Sequence, residues 1–196
     1  MVLTIILGPM FAGKTTKLIE LAQNTTHNSL VIKPSYDTRY TNDNIIVTHD
    51  NFSIHAFSLH SFQNAETIIP KNKDLFIDEA HLFENDDVFE FIYNRMHHQN
   101  IVISTINGTD KQQPNTIVSQ LLPYSSQIYH LLAKCDYCNA DANFSVKHNK
   151  ASSSTIIGGK EMYYASCFDC LKKFKEKKTI DKTNINKTFK GRLRLK

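Results

Sequence analysis

An α/β fold built on a mostly parallel sheet, with a small metal-binding appendage, is predicted by three features of this 196-residue chain. Short apolar runs alternate with helix-patterned segments up to about residue 130, as in a sheet covered on both faces. The first run, residues 2–7, flows directly into Gly8, Pro9, Met10, Phe11, Ala12, Gly13, Lys14 and Thr15, which together complete the pattern G-x-x-x-x-G-K-[ST]. All four cysteines stand in two C-x₂-C pairs, Cys135 with Cys138 and Cys167 with Cys170, with 28 residues between the pairs.

Taken in order, residues 2–7 are a buried strand, residues 8–15 a glycine loop and residues 16–21 the start of a helix. The glycines let backbone N–H groups turn inward around phosphates, Lys14 reaches the β/γ oxygens, and Thr15 offers a hydroxyl to Mg²⁺. Residues 30–33 form a second buried strand, and the polar loop 34–40 follows. Residues 45–47 and 52–57 carry weaker strand patterns, and residues 59–69 read as a helix stopped by Pro70. The run 74–79 is a strand ending in Asp78 and Glu79. Asp78 suits a Mg²⁺ partner opposite Thr15. Alternation along a strand turns Glu79 to the other face, towards an incoming nucleophile whose proton it can accept. Residues 86–97 are an amphipathic helix and residues 101–104 a further buried strand. Loops after these strands should gather at one edge of the sheet and share a cleft.

The cysteine pairs fit a tetrahedral Cys₄ zinc site, structural because four protein ligands leave no position for water or substrate. The spacer holds a hairpin, residues 143–147 against 162–165, around a Ser/Gly-rich connection. A redox pair would need a matching βαβ unit, which the pattern lacks.

Charge is unevenly spread. The net +4 combines about −5 over residues 1–170 with +9 over residues 171–196, so the basic character belongs to a lysine-rich tail that reads as a solvated terminus. Residues 78–81 spell D-E-A-H, a helicase box, but the 115 residues that follow cannot supply a second α/β lobe as well as the cysteine module. No segment approaches the roughly 18 apolar residues of a membrane span. The apolar start lacks a basic leader and runs into the glycine loop, so it reads as a strand and not a signal peptide. A soluble, cytoplasmic protein without a membrane or specific nucleic-acid partner is expected.

Several motifs, in order, resemble the type II thymidine kinases over residues 3–171: residues 8–15, Asp37-Thr38-Arg39-Tyr40, Thr48-His49-Asp50, Ile77-Asp78-Glu79, Asn107-Gly108-Thr109, Ile157-Gly158-Gly159 and both cysteine pairs. The short chain is similar to forms found in large DNA viruses. The resemblance implies a RecA-like P-loop domain over residues 1–132, a zinc-ribbon and lasso domain over 133–171, and a basic tail over 172–196. It further implies transfer of the γ-phosphate of ATP to the 5′-hydroxyl of thymidine with Mg²⁺, yielding thymidine monophosphate for DNA precursor synthesis. A homotetramer inhibited by thymidine triphosphate goes with it. By the resemblance, residues 8–15 hold ATP, Glu79 is the catalytic base, and Lys14 and Arg39 are cations beside the phosphates. Met10, Leu82, Asp110, Ser154, Thr155, Ile156, Ile157, Gly158 and Tyr163 fall at nucleoside-binding positions. This chain departs from the pattern where the family has a glutamine and two phenylalanines, here His81, Leu82 and Phe83, and where two further phenylalanines become Asp110 and Asn115. A nucleoside monophosphate kinase would carry an arginine-rich lid, whereas no arginine stands between Cys138 and Cys167.

Overall fold

The computed structural model describes residues 1–37, 44–47, 53–148 and 157–176. Strands β1 (Leu3–Gly8), β2 (Ser29–Pro34), β3 (Ile45–Val47), β4 (Ser53–His55), β5 (Phe57–Leu59), β6 (Asp74–Ile77), β7 (Ile101–Ile106) and β8 (Gln127–His130) belong to the larger part of the chain. Helices α1 (Lys14–Asn24), α2 (Ala65–Ile68), α3 (Asn85–Arg95) and α4 (Thr116–Leu121) accompany them. Six of the strands make one sheet in the order β5-β2-β6-β7-β1-β8, and every neighbouring pair is parallel.

Side-chain alternation along these strands divides the core into two layers. Leu3 and Ile5 of β1, Leu75 and Ile77 of β6, and Ile101 and Ile103 of β7 face one side, packed on Val88, Phe91 and Ile92 of α3 and Ile117 and Leu121 of α4. Ile6, Val31 and Phe76 face the other, packed on Leu18, Ile19 and Ala22 of α1 and on Ile46 and Ala56 beside the β3–β4 hairpin. Each such aliphatic side chain contributes about 1.5–3 kcal/mol through burial.

Two expectations need correction. The strand pattern over 52–57 splits, with β4 pairing β3 and β5 joining the main sheet beside β2. The helix expected over 59–69 shrinks to the single turn of α2. Leu59 is taken by β5, Asn64 turns left-handed (φ 60), and the Phe62 ring wedges 4.7 Å from both Phe83 and Phe91. Apolar spacing there arose from residues serving different neighbours. Strand β8 and helix α4 carry no strong sequence pattern, since β8 is a largely exposed sheet edge and α4 buries only Ile117 and Leu121.

The cysteine-bearing part holds β9 (Ala133–Lys134) paired with β10 (Asp141–Ala142), and β11 (Phe144–Lys147) paired antiparallel with β12 (Tyr163–Ser166). The hairpin matches the expected one. Residues 168–176 are helical, so the boundary expected after residue 171 falls inside a helix. Phe174 on that helix packs its ring 4.5 Å from Tyr137.

Candidate active site

The glycine loop lies between the end of β1 and the start of α1, with Gly13 left-handed (φ 78) immediately before the helix. Lys14 is buried and its Nζ donates to the Pro9 carbonyl at 2.8 Å, folding the ammonium over the loop. Strand β7 separates β1 from β6, so the carboxylates after β6 lie two strands away from the loop. The Thr15 hydroxyl bridges that gap, donating to Asp78 Oδ2 at 3.2 Å, and the Ser104 hydroxyl within β7 also donates to Asp78. Asp78 is 5% exposed. Burial, with the neighbouring Glu79 charge adding to it, pushes its carboxyl up to about 6, against the pull of Ser104, Lys14 and Thr15. A buried carboxylate next to a threonine hydroxyl is a donor set that suits Mg²⁺, whose charge would reverse that upward shift.

Glu79 does turn away from Asp78, but for a different reason from the one expected. The strand ends at Ile77, and Glu79 sits in the following turn with left-handed backbone (φ 50, ψ 44). Its N–H donates to Ser104 Oγ at 3.4 Å, and His81 Nδ1 lies 3.4 Å from its carboxylate. Tyr36, in the turn after β2, donates its hydroxyl to the Leu82 carbonyl and ties the Glu79 turn to the segment that follows β2. Ser104 was the functional neighbour the sequence did not single out, whereas His81 stood out only as a departure from the family pattern. A hydroxyl within an otherwise apolar strand of a P-loop protein is the signal that points to it.

A cleft of ≈ 430 Å³ brings these groups together with the cysteine-bearing part. Met10, Glu79, Leu82 and Asp110 line it from the sheet side, and Ile157, Gly158 and Tyr163 from the other. Asn115 also lines it while its side chain accepts from the Val118 N–H as the N-cap of α4, a polar role a phenylalanine cannot fill. Arg39, Ser154, Thr155 and Ile156 lie outside the described residues, as does the Thr48-His49-Asp50 motif.

Beyond the cleft, the Sγ atoms of Cys135, Cys138, Cys167 and Cys170 lie within 4.8 Å of one another. Four thiolates around a tetrahedral Zn²⁺ stand about 3.8 Å apart, so only slight contraction is needed for the cluster to take the ion. Burial resists ionisation of Cys135, yet hydrogen bonds from the backbone at Cys167, Tyr137 and Cys138 bring its pKa down to about 6, while burial and hydrogen bonds to the neighbouring cysteines push Cys170 up to about 12, so the first proton of the cluster leaves Cys135.

A glycine loop at a helix N-terminus, with a carboxylate facing its threonine across a parallel sheet, is the working end of a P-loop nucleotide-binding protein. Comparison with known proteins narrows the class. Residues 1–171 match the family described as thymidine kinase. The thymidine kinase of Rabbit fibroma virus is 33% identical over 85% of this chain and 93% of its own length. That of Yaba monkey tumor virus is 37% identical over 85% and 92%, and that of the bacterium Pseudothermotoga lettingae 32% identical over 89% and 97%. The chain belongs to the thymidine kinase family.

Proposed function

We propose that this chain transfers the γ-phosphate of ATP to the 5′-hydroxyl of thymidine, giving thymidine monophosphate and ADP. The observation that carries this reading is the shared cleft, in which the phosphate loop and Glu79 face Ile157, Gly158 and Tyr163 of the cysteine-bearing part. Its volume is in the range of small-ligand sites.

In this reading residues 8–15 cradle the triphosphate, and Lys14 leaves the Pro9 carbonyl to meet the β/γ oxygens. Thr15 and Asp78 would hold Mg²⁺, which would supply positive charge to offset the charge developing on the transferring phosphate. The nucleoside lies against Met10, Leu82 and Tyr163, with its base edge towards Ile157 and Gly158 and the segment through Ser154, Thr155 and Ile156. Glu79 accepts the 5′-hydroxyl proton as the oxygen attacks the γ-phosphorus and the bond to ADP breaks. The left-handed turn aims its carboxylate into the cleft instead of at the metal side. Arg39 is assigned the cation beside the transferring phosphate. The four cysteines would hold a structural Zn²⁺, joining the two ends of the segment that closes over the nucleoside.

We extend the reading to a domain at 1–132, a cysteine-bearing domain from 133 that takes in the helical residues 168–176 beyond the expected 171, a basic tail after it, a cytoplasmic homotetramer, and inhibition by thymidine triphosphate. Among the described residues no helix is long and apolar enough to cross a membrane. The test is ATP-dependent phosphorylation over thymidine, deoxyuridine, deoxycytidine and thymidine monophosphate. Thymidine is expected to be the preferred acceptor, and absence of nucleoside phosphorylation would overturn the reading.

A further inference from the structure

Phosphate loops work by holding backbone N–H groups in fixed directions, so whatever fixes the loop fixes nucleotide affinity. In this chain three contacts reach the loop from the cysteine-bearing part. The Met10 N–H donates to Ser145 Oγ at 2.9 Å, a partner 135 residues away on β11, and Ser145 is 5% exposed. Phe11 holds a left-handed backbone (φ 67), a conformation with a steric cost for a residue bearing Cβ. Phe11 and Ala12 pack against Ala133, Cys135, Ala142, Ala165 and Cys167. Finally, the Gly8 carbonyl accepts from the Asn107 N–H at 3.2 Å, while Asn107 Nδ2 donates to the Asn143 carbonyl at 2.9 Å, just before β11.

These contacts are directed away from phosphate chemistry. The N–H of Met10 is spent on Ser145, and Phe11, left-handed in its backbone, packs on the cysteine cluster's own core. We propose that the cysteine module braces the phosphate loop, with Ser145 a positioning residue that fixes Met10, so that nucleotide affinity itself depends on the module. The inference rests on reading residues 8–15 as the ATP site. It assigns the module a second task besides closing over the acceptor.

The test uses the full chain, with MgATP binding measured by calorimetry in the absence of thymidine and zinc content measured on the same samples. Ser145→Ala leaves the Met10 amide without its acceptor and should weaken MgATP binding about tenfold, or 1.4 kcal/mol, with zinc retained. Ser145→Thr keeps the hydroxyl and should restore affinity to within about twofold of wild type. Should Ser145→Ala fail to fold, Phe11→Ala removes the ring from the module's core and is expected to weaken MgATP binding likewise. Wild-type MgATP affinity in a folded, zinc-bearing Ser145→Ala or Phe11→Ala protein would overturn the brace, as would a loss confined to thymidine KM. Wild-type protein unable to bind MgATP would instead overturn the nucleotide site, and the brace with it.

Discussion

Two adjacent carboxylates with different surroundings can take different tasks, and here the backbone separates them. Asp78 is held by the Thr15 and Ser104 hydroxyls in a buried position, whereas Glu79 is swung by its left-handed turn to the cleft, against His81. Glu79→Gln is nearly isosteric but cannot accept a proton. Its kcat is expected to fall by about 10²–10⁴ while MgATP binding stays near wild type, as steady-state kinetics and calorimetry on one preparation would show. A small loss in kcat would mean that Glu79 only supports the metal side. Asp110 lines the cleft with a carboxylate where the family resemblance puts an aromatic ring. Asp110→Phe should lower thymidine KM about fivefold, the equivalent of one aromatic contact of about 1 kcal/mol. An unchanged KM would show that the base does not reach this loop.

Among the elements, α2 is too short to hold itself, and a side chain from α3 completes it. Arg95, 2% exposed, donates to the carbonyls of Glu66, Ile69 and Pro70, to the Glu66 carboxylate and to Gln99. Arg95→Ala removes these donors from the Glu66 and Ile69 carbonyls, leaves Pro70 with Gln99 Nε2 in their place, and should cost about 2–4 kcal/mol in denaturant unfolding. Arg95 does not line the cleft, so nucleotide and thymidine KM of the folded variant should not move. Arg95 also marks the limit of what sequence patterns convey. The strands β1, β2, β6 and β7 and the helices α1 and α3 were legible because their apolar spacing is local and answers to one buried face. The segment 59–69 was not, because Leu59 belongs to a strand and Phe62 to an aromatic cage with Phe83 and Phe91. The same divide runs through the site. The glycine loop and the cysteine pairs are contiguous motifs, but Ser104 meets Asp78 across 26 residues and Ser145 meets Met10 across 135. Nothing near Ser145 in the chain marks it as a partner of the loop.

At the scale of the whole molecule, the lysine-rich end of the chain divides at Phe174. Charge composition alone sets everything from Lys172 onward apart as a solvated tail, yet the helix of residues 168–176 carries Phe174 back onto the cysteine module. Its ring lies 4.5 Å from that of Tyr137, between the first pair of cysteines, and 6.5 Å from that of Tyr164 on β12. Tyr164 in turn stacks edge-on to Tyr137 at 5.2 Å, so three rings cover the module's outer side. Aromatic pairs of this kind are worth about 0.5–1.5 kcal/mol each beyond their buried area. The module has a small apolar core of its own, so such a contribution weighs heavily there. Two truncations separate the parts of the tail. Removing residues 183–196 takes away no cysteine and no residue assigned to the phosphate loop or cleft, and should leave thymidine phosphorylation within about twofold of wild type. Removing residues 172–196 strips Phe174 as well. That variant is expected to lose zinc to a chelator several times faster and to unfold at a lower temperature, with thymidine turnover falling as zinc is lost. Equal zinc retention by the two truncated proteins would show that the aromatic cover adds nothing to the metal site. A tenfold loss of activity on the shorter deletion, about 1.4 kcal/mol of transition-state stabilisation, would place a working part of the molecule beyond residue 182.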